Sequence, residues 1–240
     1  MKLNRRFFLS LLAAASVSFT FAADAADGFK PIFNGKDLKG WEGDTKLWSV
    51  KDGAILGQTT ADTKLKQNTF LIWRDGTLDD FVLRFKYRIK NGNSGVQYRS
   101  KEKTNAGPFV VGGYQADFEA GKTYSGILYE ERGPRGIMAE RGTKVVVDEL
   151  GKKSAQRIAD SAELQSKIKN EDWNDYEVSA QGFHFIHKIN GHVTAEVTDN
   201  DTQNRAASGI LALQVHTGPP MTVEFKDIQL KRWPLGSKKN

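Results

Sequence analysis

The residues of this chain that could move protons or hold sugar hydroxyls fall on three short alternating stretches. In VGGYQADFEAG (residues 111–121), Gln115, Asp117 and Glu119 share one side of an extended chain, and Tyr114, Ala116 and Phe118 share the other. Gln97 and Arg99 alternate in the same way in GVQYR, as do Gln214 and His216 in LQVHT. Alternate side chains on a strand stand roughly 6.5–7 Å apart, close to the span between neighbouring hydroxyls and ring atoms of a sugar. If the three strands adjoin, their polar faces merge into one patch of carboxylates, amides, a guanidinium and an imidazole. Such a patch could bind a polyol and, through Asp117 and His216, give and take protons. The plain alternative is a solvated sheet surface, although Gln, Asp, Arg and His are an odd selection where Lys, Thr and Ser would serve.

Aromatic rings are the second ingredient of a sugar site. Trp41, Trp48, Trp73, Trp173 and Trp233, with Tyr114, Tyr124 and Tyr129, are numerous for a chain of 240 residues; each could equally pack in a core. From these, Trp48 and Tyr129 join the candidate binding residues. Residues 124–142 are rich in Gly, Glu and Arg, so they form either a flap over the polar face, with Arg132, Arg135 or Arg141 clamping oxygens, or a solvated loop with internal ion pairs. Arg141 joins the binding set on the first reading. Sharper motifs fail. Asp199-Asn200-Asp201 lacks the glycine and closing glutamate of a calcium loop. His184 and His187 fall on opposite faces of a strand. A serine-nucleophile elbow and a Gly-rich dinucleotide fingerprint are both missing, and with no cysteine, thiolate chemistry and cysteine-ligated zinc are excluded.

The elements that must position these groups read as strands separated by Gly, Asn and Asp turns. In residues 81–89, Phe81, Leu83, Phe85, Tyr87 and Ile89 oppose Arg84, Lys86 and Arg88, one face for a core and one for water. Alternation recurs in residues 176–181, 192–198, 210–217 and 223–230, and Asn91-Gly92 and Asn190-Gly191 carry the hairpin-turn signal. One helix is expected where Asp160 can cap and Glu163 can reach back, with Leu164 and Ile168 four apart. The economical architecture is all-β, a sandwich of two antiparallel sheets with about a dozen strands and one or two short helices. Residues 26–240 are read as a single domain. Residues 1–25 read as an export signal, a basic start, an apolar stretch too short and too interrupted for a stable membrane anchor, and small residues at Ala23 and Ala25. Arg5-Arg6-Phe7-Phe8-Leu9 favours the twin-arginine type. The expected location is periplasmic or secreted. Loss of Lys2, Arg5, Arg6 and Asp24 with the signal takes the formal charge of +6 to +4, and no basic stripe points to nucleic acid.

The motifs FNGKDLKGW (33–41), NSGVQYR (93–99), GYQAD (113–117), SGILY (125–129), WN (173–174), NG (190–191) and LQVH (213–216) resemble, in this order, the 3-keto-disaccharide hydrolase domain family. These domains are also described as 3-keto-glucoside 1,2-lyases and 3-keto-2-hydroxy-glucal hydratases. The resemblance, spanning residues 29–233, implies a concanavalin A-like, laminin-G-like jelly roll. It implies an enzyme that cleaves 3-keto-glucosides by elimination at carbons 1 and 2, or hydrates the resulting 3-keto-2-hydroxy-glucal. Asp117 and His216 are then the base and the acid, in an order left open. Gln97 and Arg99 stabilise an enolate or hold hydroxyls, Gln115, Glu119 and Gln214 bind, and Tyr129 stacks or donates a proton. No cofactor is required by the sequence; a divalent cation such as calcium among Asp117, Glu119 and His216 is left open. The ketone must be made elsewhere, so an exported oxidoreductase is the implied partner. Many family members read Gly-Tyr-Glu-x-Gln where this chain reads Gly-Tyr-Gln-Ala-Asp, the amide and carboxylate having changed places. Laminarinase- and lichenase-type glycosidases offer a second resemblance, carrying Glu-x-Asp-x-Glu where this chain has Gln115, Asp117 and Glu119. An amide cannot act as their nucleophile. A conventional glycoside hydrolase and a lectin-like binding module stand as alternatives.

Overall fold

The computed structural model describes residues 27–233; the expected export signal lies outside the described residues. The strands follow in the order β1 (Lys30–Pro31), β2 (Trp41–Glu42), β3 (Trp48–Lys51), β4 (Ala54–Gln58), β5 (Thr69–Leu78), β6 (Phe81–Lys90), β7 (Asn93–Glu102) and β8 (Val111–Glu119). Then come β9 (Leu128–Glu131), β10 (Gly136–Ala139), β11 (Thr143–Val147), β12 (Lys153–Arg157), α1 (Ser161–Ser166), β13 (Asn174–Gln181), β14 (His184–Ile189), β15 (His192–Asp199), β16 (Gly209–Val215) and β17 (Thr222–Arg232). They form two sheets. One has the order β12-β11-β15-β14-β13-β6-β17-β4-β3, with β1 added on β17; the other, seven strands wide, has the order β10-β9-β8-β7-β16-β5-β2. Every pairing is antiparallel except β11 with β15. Among the described residues, no helix is long and apolar enough to cross a membrane.

The alternation of β6 decides its place. Phe81, Leu83, Phe85, Tyr87 and Ile89 are buried between the sheets, and its outward row makes cross-strand ion pairs, Arg84 with Glu177 and Arg88 with Glu224. Across the interior, Tyr87 meets Phe118 of β8 at 3.9 Å between ring centroids, while within the larger sheet Phe85 stacks on Tyr176 of β13 at 5.2 Å. His187, fully buried, has its pKa lowered to about 3 by loss of water. It is therefore neutral, with Tyr98 Oη 3.0 Å from Nε2 and Tyr176 Oη 3.2 Å from Nδ1 tying the two sheets together.

The two-sheet reading holds, with more strands than the dozen expected from turn spacing. Two of the additional strands, β9 and β10, lie in the segment read as a polar loop, where Glu130 and Glu131 are covered despite their charge. Asn91-Gly92 is a turn, both residues having positive φ, but it carries the chain from β6 in one sheet to β7 in the other rather than closing a hairpin. Asn190-Gly191 does close one, with Ile189 paired to His192. The expected helix is α1, and the Asp160 side chain caps it by accepting from the Glu163 amide.

Candidate active site

The outer faces of the two sheets differ in kind. That of the larger sheet is a solvated ladder of Lys, Arg, Glu and Asp. That of the seven-stranded sheet carries Gln97, Gln115 and Gln214, each no more than 1% exposed, with Asp117 at 5%. Burying such a face requires its amides to find partners. Register supplies them for all but Gln214 Oε1: on β8, Gln115 lies opposite Gln97 of β7 and Tyr129 of β9, while Asp117 lies opposite Gly95. Ser100 Oγ donates to Gln97 Oε1 (2.7 Å), Gln97 Nε2 to Gln115 Oε1 (2.6 Å), and Gln115 Nε2 to Asp117 Oδ2 (2.7 Å). Gln214 Nε2 gives Gln115 Oε1 a second hydrogen (3.0 Å), and Asn93 Nδ2 donates to Asp117 Oδ1 (2.8 Å). The relay runs one way and ends on a carboxylate that accepts at both oxygens.

Gly95 makes room for this relay. A Cβ there would lie 2.6 Å from both Cγ and Cδ of Gln115. Gly95→Ala is expected to push Gln115 off Asp117 and lower turnover by roughly tenfold, a fraction of the loss that a full ångström of misplacement causes, with the fold retained. Steady-state rates beside a thermal melt would check this; unchanged kinetics would mean that the relay does not position Asp117.

Above Asp117 lies a cleft of about 420 Å³, walled by Asn93, Glu119, Tyr129, Glu131 and His216. Burial pushes Asp117 up to about 7 from the usual 3.8; the Asn93 and Gln115 hydrogen bonds pull it down, and the charges of Glu119 and Glu131 push it up. Glu131 is likewise raised, mainly by burial, against hydrogen bonds from Asn68 and Gln214 and the neighbouring His216. Burial raises Tyr129, with Glu131 and Asp117 adding to the shift. The Nδ1 of His216 lies 2.5 Å from the Thr217 carbonyl. A carbonyl can only accept, so Nδ1 carries hydrogen and Nε2 is the nitrogen left for proton exchange. Glu119 has one oxygen engaged, Oε1 accepting from the Thr123 and Tyr124 amides (2.6 and 2.9 Å).

The structure thus brings together Gln97, Gln115, Asp117, Glu119, Tyr129, Gln214 and His216, and places three sequence candidates elsewhere. Arg99 leaves the polar face because β7 bulges after Tyr98: Arg99 has φ of 47°, Ser100 takes its place beside Gln97, and the guanidinium turns to Asp80 and the carbonyls of Asp79 and Gly182. Trp48 is 2% exposed and packs against Phe225 in the core, where no sugar could stack on it. Arg141 donates to the carbonyls of Lys122, Thr123, Ser125 and Ser161, so it pins the turn after β8 instead of reaching the cleft. Arg135 pairs with Glu130 and Asp199. The sequence reading missed Asn68, Asn93 and Glu131. For Glu131 the signal was its position two residues after Tyr129, the same alternation that singled out Asp117. Among the described residues, no group of three or more His, Asp or Glu side chains is arranged to hold a metal ion.

A two-sheet jelly roll with a cleft of carboxylates and amides on one sheet face defines a carbohydrate-active β-sandwich protein. In fold it is similar to a candidate glycosyl hydrolase from Parabacteroides distasonis (19% identity, TM-score 0.58, covering 90% of this chain and 98% of that one). It is also similar to the β-glucanase of Bacillus licheniformis (10% identity, TM-score 0.50, covering 85% and 97%). The chain belongs to the 3-keto-alpha-glucoside-1,2-lyase-like domain family, whose model matches residues 28–231. A curated relative, the 3-keto-disaccharide hydrolase of Bacteroides thetaiotaomicron, is 33% identical over 104 residues; the match spans 40% of this chain and 35% of the relative.

Proposed function

We propose that the cleft cleaves 3-keto-glucosides by elimination, with Asp117 as the base. The observation that carries this is the buried Asp117 carboxyl, held at both oxygens by amide donors and shifted up to about 7. A base is most effective when its pKa lies near the working pH. A ketone at carbon 3 acidifies the proton on carbon 2. Asp117 takes that proton, the electron pair forms the bond between carbons 1 and 2, and the glycosidic oxygen leaves carbon 1 with a proton. His216 through Nε2, or Glu131 in its protonated form, supplies that proton, and Tyr129 is placed to hydrogen-bond the enolate oxygen. Adding hydroxyl at carbon 1 and hydrogen at carbon 2 returns the free keto sugar, a net hydrolysis. The relay also explains why ordinary retaining chemistry is not the reading: at the position a nucleophilic carboxylate would take stands Gln115, an amide with both ends engaged.

An oxidoreductase sharing the chain's proposed exported location would supply the ketone. The test is a chromogenic 3-keto-glucoside beside its unoxidised parent, with and without chelator, following release of the aglycone and absorbance of the unsaturated sugar. Release from the keto substrate alone is expected. Equal release from the parent would establish conventional hydrolysis, and sugar binding without release from either would make the domain a binding module.

A further inference from the structure

Glu131 stands between the cleft over Asp117 and a neighbouring cavity. This second cavity, of about 480 Å³, is lined by Lys101, Lys103, Arg132 and Arg205 over Gly112 and Gly113. Gly113 lies on β8 four residues before Asp117 and on the same face, roughly 13 Å away at the rise of an extended strand. The glycines keep this end of the floor low. A Cβ on Gly112 would lie 2.6 Å from Lys103 Cε, so the lysine stem crosses the strand there only because residue 112 has no side chain.

The positive charge of this cavity is only partly compensated, by Glu131, whose carboxyl the nearby Arg132 favours in its charged form. The cavity's other cation, Arg99, is occupied by Asp80 at 2.8 Å, and the Glu130 carboxylate is held by Arg135 at 2.6 Å. Lys101, Lys103, Arg132 and Arg205 have no carboxylate within 4.0 Å among the described residues, Arg132 donating to Gln67 and Arg205 lying over the Phe183 ring. Several cations on the outer sheet faces, by contrast, are matched: Arg74 has Glu42 and Glu102, Arg84 and Lys188 share Glu177, Arg88 has Glu224, and Lys144 has Glu196. Four cations without an ion-pair partner around one concavity, which shares its Glu131 wall with the proton-transfer cleft, describe a site for an anion.

We propose that this cavity is the aglycone end of the cleft and receives an anionic group, a carboxylate, sulfate ester or phosphate ester, carried about one ring's length from the bond that is cleaved. The proposal rests on the elimination reading of the neighbouring cleft and adds the chemical class of the leaving portion. Lys103 and Arg132 make the direct contacts, and Lys101 and Arg205 raise the local potential.

The experiment compares nitrophenyl 3-keto-glucoside with three analogues whose aryl ring carries a carboxylate, a sulfate ester or a phosphate ester. At least one anionic analogue is expected to have a kcat/KM about tenfold above the neutral one, mostly through KM, as befits two or three partly exposed charge contacts. The advantage is expected to shrink as ionic strength rises from about 0.05 to 0.5 M. In the double variant Lys103→Gln/Arg132→Gln the ratio of anionic to neutral kcat/KM is expected to lose this advantage, whatever the loss of Arg132 beside Glu131 does to both rates in common. Dividing by the variant's own ratio cancels the effect of ring charge on leaving-group ability. Equal rates for all four substrates, or a preference that survives in the variant, would overturn the proposal, and the ranking of the three anions identifies the group. Should no keto substrate turn over, the elimination reading fails, and calorimetric binding of the unoxidised glucosides decides this one separately. Tighter binding of an anionic ring, lost in the double variant, upholds the cavity's role; indifferent binding ends it.

Discussion

Asp117→Asn is expected to lower turnover of a 3-keto-glucoside by about 10²–10⁴-fold, the usual range for loss of a positioned base, with a cooperative unfolding transition retained. Asparagine matches the carboxylate in shape but cannot take the carbon-2 proton. It also turns one NH₂ toward a donor, since Asn93 and Gln115 both direct hydrogens at this side chain. The kcat/KM of the wild type is expected to rise with pH through an apparent pKa of about 7, because the base works only when ionised. Glu131→Gln removes one of the charges that raise Asp117 and is expected to move that limb to lower pH. Wild-type turnover in Asp117→Asn would take the base role from Asp117.

Much of this site was legible because alternation on a strand fixes a face. Asp117 and Gln115 could be placed on one face from spacing alone, with Gln97 beside them if the strands adjoin, and their side-chain types, unusual for a wet surface, pointed to a site. Two things were not legible. A bulge costs one residue of phase, and nothing local in Gln97-Tyr98-Arg99-Ser100 announces that Arg99 turns away while Ser100 turns in; the room for it is left by Gly209, a distant residue where a Cβ would lie 2.4 Å from the Arg99 carbonyl carbon. Charge-rich segments were the other difficulty. Tyr129-Glu130-Glu131 looks solvated in sequence, but Arg135 arrives to neutralise Glu130, and Asn68 and Gln214 arrive to hold Glu131. Arg135 is local, the internal ion pair that the loop reading allowed, but Asn68 and Gln214 are remote in the chain, so burial of Glu131 is a property of the fold. Trp48 shows the converse: with polar residues close on both sides in sequence, it is still core, as any one tryptophan more often is.

Burial of Asp117 also carries a cost in stability that can be measured apart from catalysis. In the unfolded chain its carboxyl ionises near the ordinary 3.8, and in the folded chain near 7. Between those values the folded protein holds a proton that the unfolded chain has released, so raising the pH favours unfolding. Stability from this group is full below about pH 4, declines through the interval, and is flat above about pH 7, a total change of about 4 kcal/mol. Asp117→Asn has no such proton. The stability of the variant relative to wild type is therefore expected to improve by about 4 kcal/mol between pH 4 and pH 8 in denaturant titrations. Any packing penalty from the misdirected amide is constant with pH and cancels from that difference. A flat difference would mean that Asp117 ionises in its ordinary range, and a limb near pH 7 in kcat/KM would then belong to another group. Because kcat/KM reports the free enzyme, the pKa from rates and the pKa from stability describe the same proton on the same species. Agreement between them identifies the base without relying on the loss of activity in a variant.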